Sequence, residues 1–80
     1  MKIGFFGSMG ERIGREVDID ASNVGTLAEL RNLLADTFPE AAVQLLSPTL
    51  KACVDDSIVD DKRTLSGQER IEFFPPLSGG

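Results

Sequence analysis

The sequence predicts an α+β domain, a mixed sheet of about five strands with one main helix packed on one face. Three observations predict it. Four short segments alternate apolar and polar residues with the period of two that a half-buried strand requires, and Ile58-Val59 is long enough for a fifth, short edge strand. One segment, from Thr26 to Phe38, repeats apolar residues at helical spacing. Finally, 80 residues with 41% hydrophobic content suffice for one modest core, so the helix must cover its stripe against the sheet.

Residues 2–7 read as the first strand. Ile3 and Phe5 share one face, which we assign to the core; Lys2, Gly4 and Phe6 share the other. Gly7 to Gly14 is rich in glycine and reads as a hairpin loop. Its spacing fits neither the dinucleotide fingerprint nor a phosphate-binding loop, and no Lys-Ser/Thr pair follows. Residues 15–20 alternate again, with Val17 and Ile19 inward and Glu16, Asp18 and Asp20 outward. Ala21-Ser22-Asn23 is loop.

Thr26 opens the helix. Glu29 stands three residues later, the spacing of a capping box. Leu27, Leu30, Leu34 and Phe38 then fall on one helical face, with Leu33 beside them. Pro39 disfavours helical geometry at Phe38, so the helix ends near residues 36–38. Residues 40–46 allow another short helical turn.

The next strand puts Leu50, Ala52 and Val54 inward, with Lys51 and Cys53 outward. Asp55-Asp56-Ser57 turns the chain into Ile58-Val59, and Asp60 to Arg63 is a charged loop. The four aspartates around this strand lack the alternation, glycine and terminal glutamate of a calcium loop, so they read as solvated turns. Ser66-Gly67 is another turn. Residues 69–74 form the last strand, with Ile71 and Phe73 inward and Arg70, Glu72 and Phe74 outward.

Composition excludes several functions. The net charge of −5 argues against nucleic acid, where Lys and Arg neutralise phosphates, and is compatible with a basic protein partner. The absence of histidine removes the usual general base near neutral pH. One cysteine, Cys53, permits no internal disulfide, and as a half-outward side chain beside Lys51 it reads as a plain small residue. No apolar run approaches the roughly 18–20 residues of a membrane span, and Met1-Lys2-Ile3 leads straight into a strand without a secretory apolar region. A cytoplasmic protein is the expectation.

The last eight residues, Phe73-Phe74-Pro75-Pro76-Leu77-Ser78-Gly79-Gly80, carry the functional signal. Two prolines end the strand and favour an extended backbone leading away from it. Gly79 and Gly80 have no Cβ, so this end can thread a narrow channel and present a carboxylate beyond it. We expect residues 1–75 to form the domain and residues 76–80 a flexible tail. An ionised carboxylate is a poor electrophile, so acyl chemistry at Gly80 requires activation by a partner.

The block Ile71-Glu72-Phe73-Phe74-Pro75-Pro76-Leu77-Ser78-Gly79-Gly80 resembles the C-terminus of the ubiquitin-like sulfur carriers, most closely the small subunits of molybdopterin synthase. The opening Lys2 to Gly7, the helix Thr26 to Arg31 and Leu65-Ser66-Gly67 fit as well, so the resemblance spans the chain. It departs at Ser66-Gly67-Gln68-Glu69-Arg70, which is less acidic than the family pattern, and at Val54-Asp55-Asp56.

The resemblance implies a ubiquitin-like β-grasp with first and last strands adjacent and parallel. It implies that Gly80, with Gly79 as the slim link behind it, is adenylated and converted to a thiocarboxylate that donates sulfur to cyclic pyranopterin monophosphate. ATP is used by the activating partner, an adenylyltransferase like the ubiquitin-activating enzymes; no cofactor is held by this chain. The other implied partners are a sulfur-donor protein and the synthase large subunit, which supplies the catalytic groups. In that topology Phe6 and Phe74 become neighbours on the face without the helix. With Ile58 and the tail residues Pro75, Pro76, Leu77 and Ser78 they form the expected partner interface. A protein modifier joined through Gly80 to lysines, or a carrier for tRNA thiolation or thiamine synthesis, are the alternatives.

Overall fold

The computed structural model of the chain describes residues 1–75. Alternation becomes strand wherever the inward residues find the helix. Strand β1 is Lys2–Phe5, β2 is Glu16–Asp18, β3 is Lys51–Val54, β4 is Ser57–Val59 and β5 is Ile71–Phe74. The sheet order is β2-β1-β5-β3-β4. β1 and β5 are parallel at the centre, with Ile3 opposite Ile71 and Phe5 opposite Phe73. The other pairings are antiparallel. The adjacent, parallel first and last strands are what the resemblance implied.

The main helix, α2, runs from Leu27 to Thr37. Both halves of the capping box at Thr26 and Glu29 form, so two backbone N–H groups of the first turn find partners. Before Pro39, Phe38 leaves the helical region at φ −123°, ψ 73°, and the helix stops. Leu27, Leu30 and Leu34 are fully buried against Ile3, Phe5, Ala52, Val54, Ile71 and Phe73 from the sheet. The Phe5 and Phe73 rings stack at 5.7 Å across the parallel pair. A 3₁₀ turn at Pro39–Ala41 and a short helix, α3, at Ala42–Leu45 close the open end of the core with Ala41 and Leu45.

The hairpin loop expected at residues 7–14 contains a helix, α1, at Ser8–Ile13. Tertiary packing overrides the glycine content here: Met9 is buried in the core, and Gly10 lies so close to β1 that a Cβ on it would meet the Phe5 carbonyl oxygen at 2.8 Å. The turn between β3 and β4 uses Asp55 and Asp56, both at positive φ (49° and 72°), the mirror-image turn that suits a two-residue hairpin.

Candidate functional site

β5 is the element that positions everything near the tail. It lies between two neighbours, so its backbone is paired on both sides. Its start is fixed by the preceding loop. The Glu69 carboxylate accepts from the Ser66 amide at 2.7 Å and the Gly67 amide at 2.9 Å. Partial burial pushes the Glu69 carboxyl up, but these backbone donors outweigh it and hold the group below the ordinary glutamate range. Asp55 adds a second clamp: its carboxylate accepts from the Arg70 amide at 3.0 Å, and its own amide donates to the Arg70 carbonyl at 3.0 Å.

At the far end of β5 the inward residue Phe73 is fully buried, while Phe74 and Pro75 are half-buried. The Phe6 amide donates to the Phe73 carbonyl at 3.0 Å, which carries the parallel pairing one residue past β1. Phe6 and Phe74 are therefore adjacent on the face opposite the helix, as expected. Phe6 is 53% exposed. Ile58 is 69% exposed and pairs with Cys53, which settles its parity: it points from the same face. Pro75 packs at Gly7, where a Cβ would approach the Pro75 ring to 2.9 Å. Pro76, Leu77, Ser78, Gly79 and Gly80 lie outside the described residues.

The register thus places Phe6 beside Phe74, with Pro75 at Gly7 and Ile58 two strands away across β3. Among the described residues no group of three or more Asp, Glu and Cys side chains is placed to hold a metal ion. The two displaced carboxyls are both loop features. Glu69 is one. The other is Asp20, held low by hydrogen bonds from the Ser22 backbone and side chain.

Sequence reasoning missed Arg31. It is 6% exposed and reaches the carbonyls of Leu45, Ser47 and Leu50 while bonding Asp61 at 2.8 Å. Its guanidinium also lies 5.3 Å from the centre of the Phe73 ring. The signal was available: Arg31 stands four residues after Leu27 and three before Leu34, within the apolar stripe.

Comparison with known proteins agrees with this geometry. Residues 3–80 match the ThiS family. The chain is 29% identical over 80 residues to the molybdopterin synthase sulfur carrier subunit of Escherichia coli (strain K12), covering 100% of this chain and 99% of that protein. Among solved structures, SAMP1 from Haloferax volcanii superposes with a TM-score of 0.83 at 19% identity, covering 99% of this chain and 97% of that one. The small archaeal modifier protein 1 of Methanosarcina acetivorans gives 0.82 at 17% identity, covering 99% and 94%. A putative molybdopterin converting factor, subunit 1, from Pyrococcus furiosus gives 0.78 at 14% identity, covering 95% of each chain. At such identities these structures speak to the fold, and the fold is the ubiquitin-like β-grasp.

Proposed function

The chain belongs to the ThiS family of small ubiquitin-like sulfur carriers, and from that membership we propose that it is the sulfur-donor subunit of a molybdopterin synthase. The carrying observation is the full-length likeness to the Escherichia coli sulfur carrier subunit, beside this chain's own Phe73-Phe74-Pro75-Pro76-Leu77-Ser78-Gly79-Gly80 block. The geometry supports it. The central strand delivers Pro75 beside an exposed apolar patch, so a partner that covers Phe6 and Phe74 also receives the tail.

In the proposed cycle the Gly80 carboxylate attacks the α-phosphate of ATP on an adenylyltransferase and releases pyrophosphate. Sulfide-level sulfur, released from a donor protein's persulfide with a thiol as reductant, displaces AMP from the acyl adenylate and leaves a thiocarboxylate. The thiocarboxylate sulfur is the nucleophile toward the pterin precursor, and Gly80 returns to a carboxylate when the acyl–sulfur bond is hydrolysed. The chain supplies the reactive terminus; acid, base and precursor-binding groups belong to the large subunit. The cycle takes place in the cytoplasm, where ATP and reduced sulfur donors are found.

Intact-mass analysis of the protein from its host tests this reading. Exchange of one oxygen for sulfur adds 16 mass units by atomic mass, whereas a protein modifier appears in larger isopeptide adducts. Removal of Gly80 is expected to abolish sulfur transfer in a reconstituted synthase and leave the melting temperature unchanged, since a residue without a side chain adds little to a core. Sulfur transfer by the truncated chain would overturn the proposal.

A further inference from the structure

Gly7 stands between β1 and α1, and two separate observations exclude an L side chain there. Its backbone lies at φ 72°, ψ −151°, a region that essentially only glycine adopts. A Cβ would also stand 2.9 Å from Cγ and 3.3 Å from Cδ of Pro75, where carbon atoms ordinarily stay about 3.5–4.0 Å apart. The first requirement belongs to the turn into α1. The second belongs to the root of the tail. Gly7 is exposed, so no packing of the core asks for it.

Neither side of this contact gives way easily. The Gly7 carbonyl accepts from the Gly10 amide at 3.0 Å, and the adjacent Phe6 amide donates to the Phe73 carbonyl at 3.0 Å. α1 is pinned by buried Met9 and by the approach of Gly10 to Phe5. On the other side, Phe73 is fully buried and Phe74 is registered with Lys51 of β3. The Pro75 ring closes on its own backbone nitrogen, so it cannot swing aside as a flexible side chain does; moving the ring moves the chain. Pro75 also borders a hollow of about 110 Å³ with Ser8, Met9, Ser47, Thr49 and Leu50, and a displaced ring would move toward it.

We propose that Gly7 is a positioning residue: its bare Cα seats Pro75 and thereby aims the residues that follow. The inference deepens the proposed function and rests on it. A side chain at position 7 must open the contact with the Pro75 ring by at least about 0.5 Å. With Phe73 and Phe74 held in the ladder, that displacement passes to the chain beyond Pro75. The exposed faces of Phe6 and Phe74 stay where they were. Position 7 therefore governs how the terminus is presented and leaves the affinity of the docking face nearly unchanged. A misplacement of about 1 Å can slow a reaction about 100-fold.

The test uses the full chain carrying a Gly80 thiocarboxylate, the purified synthase large subunit of the same organism and the pterin precursor. The rate of sulfur transfer is measured in a single turnover at saturating large subunit, and the dissociation constant separately. Gly7→Ala is expected to slow transfer about tenfold or more while the dissociation constant changes less than about threefold. Gly7→D-Ala, in a chemically synthesised chain, removes the backbone strain: the mirror image of this conformation is ordinary polyproline-type backbone, and the methyl group lies on the other side of Cα from Pro75. It is expected to transfer within about twofold of the wild type. Pro75→Ala, which lacks Cγ and Cδ, is expected to slow transfer too, and Gly7→Ala with Pro75→Ala to be no slower than the slower single variant, because both act on one contact. Melting curves verify that each variant is folded at the assay temperature. Unchanged transfer by either single variant, equal slowing by Gly7→D-Ala, or additive slowing in the double variant would overturn the inference. Failure of the wild-type thiocarboxylate to transfer sulfur would instead overturn the proposed function, and the role of Gly7 with it.

Discussion

Arg31→Met isolates the least expected feature of the core. The substitution keeps most of the aliphatic bulk and removes the guanidinium. The carbonyls of Leu45 and Leu50 then lose the Arg31 donor in a segment without another turn of helix to satisfy them, and that of Ser47 keeps only the Leu50 amide at 3.2 Å. The contact with the Phe73 ring is lost as well. Each charge-assisted hydrogen bond is worth about 1.5–3 kcal/mol, but burying the guanidinium offsets part of that, so a net loss of about 3 kcal/mol is expected. A domain of this length has a total stability of roughly 4–12 kcal/mol, so the loss is a large fraction of it. The melting temperature should fall by roughly 12–24 °C. Asp61→Asn is the control: the Asp61 side chain is 56% exposed, so losing its ion pair should cost about 1 kcal/mol or less. Urea unfolding followed by far-ultraviolet circular dichroism is the assay, because the chain has no Trp or Tyr for fluorescence. A loss below about 1 kcal/mol for Arg31→Met would show that water replaces the guanidinium, and the account of Arg31 as the tie for the 45–50 segment would be refuted.

Two further predictions concern β5. Phe73→Ala should cost about 3–5 kcal/mol in the same unfolding assay, whereas Phe74→Arg should leave stability within about 1 kcal/mol and weaken co-purification with the large subunit. Equal costs for the two would contradict the parity assignment. Glu69 gives a pH signature. Its folded carboxyl is held below the ordinary value of 4.5, so its contribution is present above that pH and is lost as pH falls through the lower folded value. Stability of the wild type should therefore drop more steeply below about pH 4.5 than that of Glu69→Gln, measured as urea midpoints across pH 3–6.

Much of this was legible in the sequence because the deciding interactions are local. Thr26 and Glu29 announced the start of α2, and Pro39 announced its end. Parity alone placed Ile3, Phe5, Ala52, Val54, Ile71 and Phe73 in the core and left Phe6 and Phe74 outside it. The central parallel pairing was not legible, because periodicity carries no information about which strands are neighbours; the family resemblance supplied it. Helix α1 was hidden by its glycines, whose role depends on a close approach to Phe5 that only the folded chain creates. Lys51 was placed outward by parity, but its alignment with Phe74 requires the antiparallel register of β3 with β5.

The placement of β5 has a further consequence for delivery. Its backbone is bonded on both sides up to Phe73, and Pro75 has no N–H to extend the ladder. The strand itself is held in place, because unzipping β5 would expose Phe73 and Ile71, the centre of the core. Four residues separate Pro75 from Gly80, and the five steps between them, fully extended, reach at most roughly 18 Å. A partner seated on Phe6 and Phe74 must hold its reacting centre within that distance of the patch. Docking and delivery are then one geometric requirement. Under the proposed function, a surface that binds the patch but keeps its reaction centre farther away cannot use sulfur carried at Gly80, however tightly it binds.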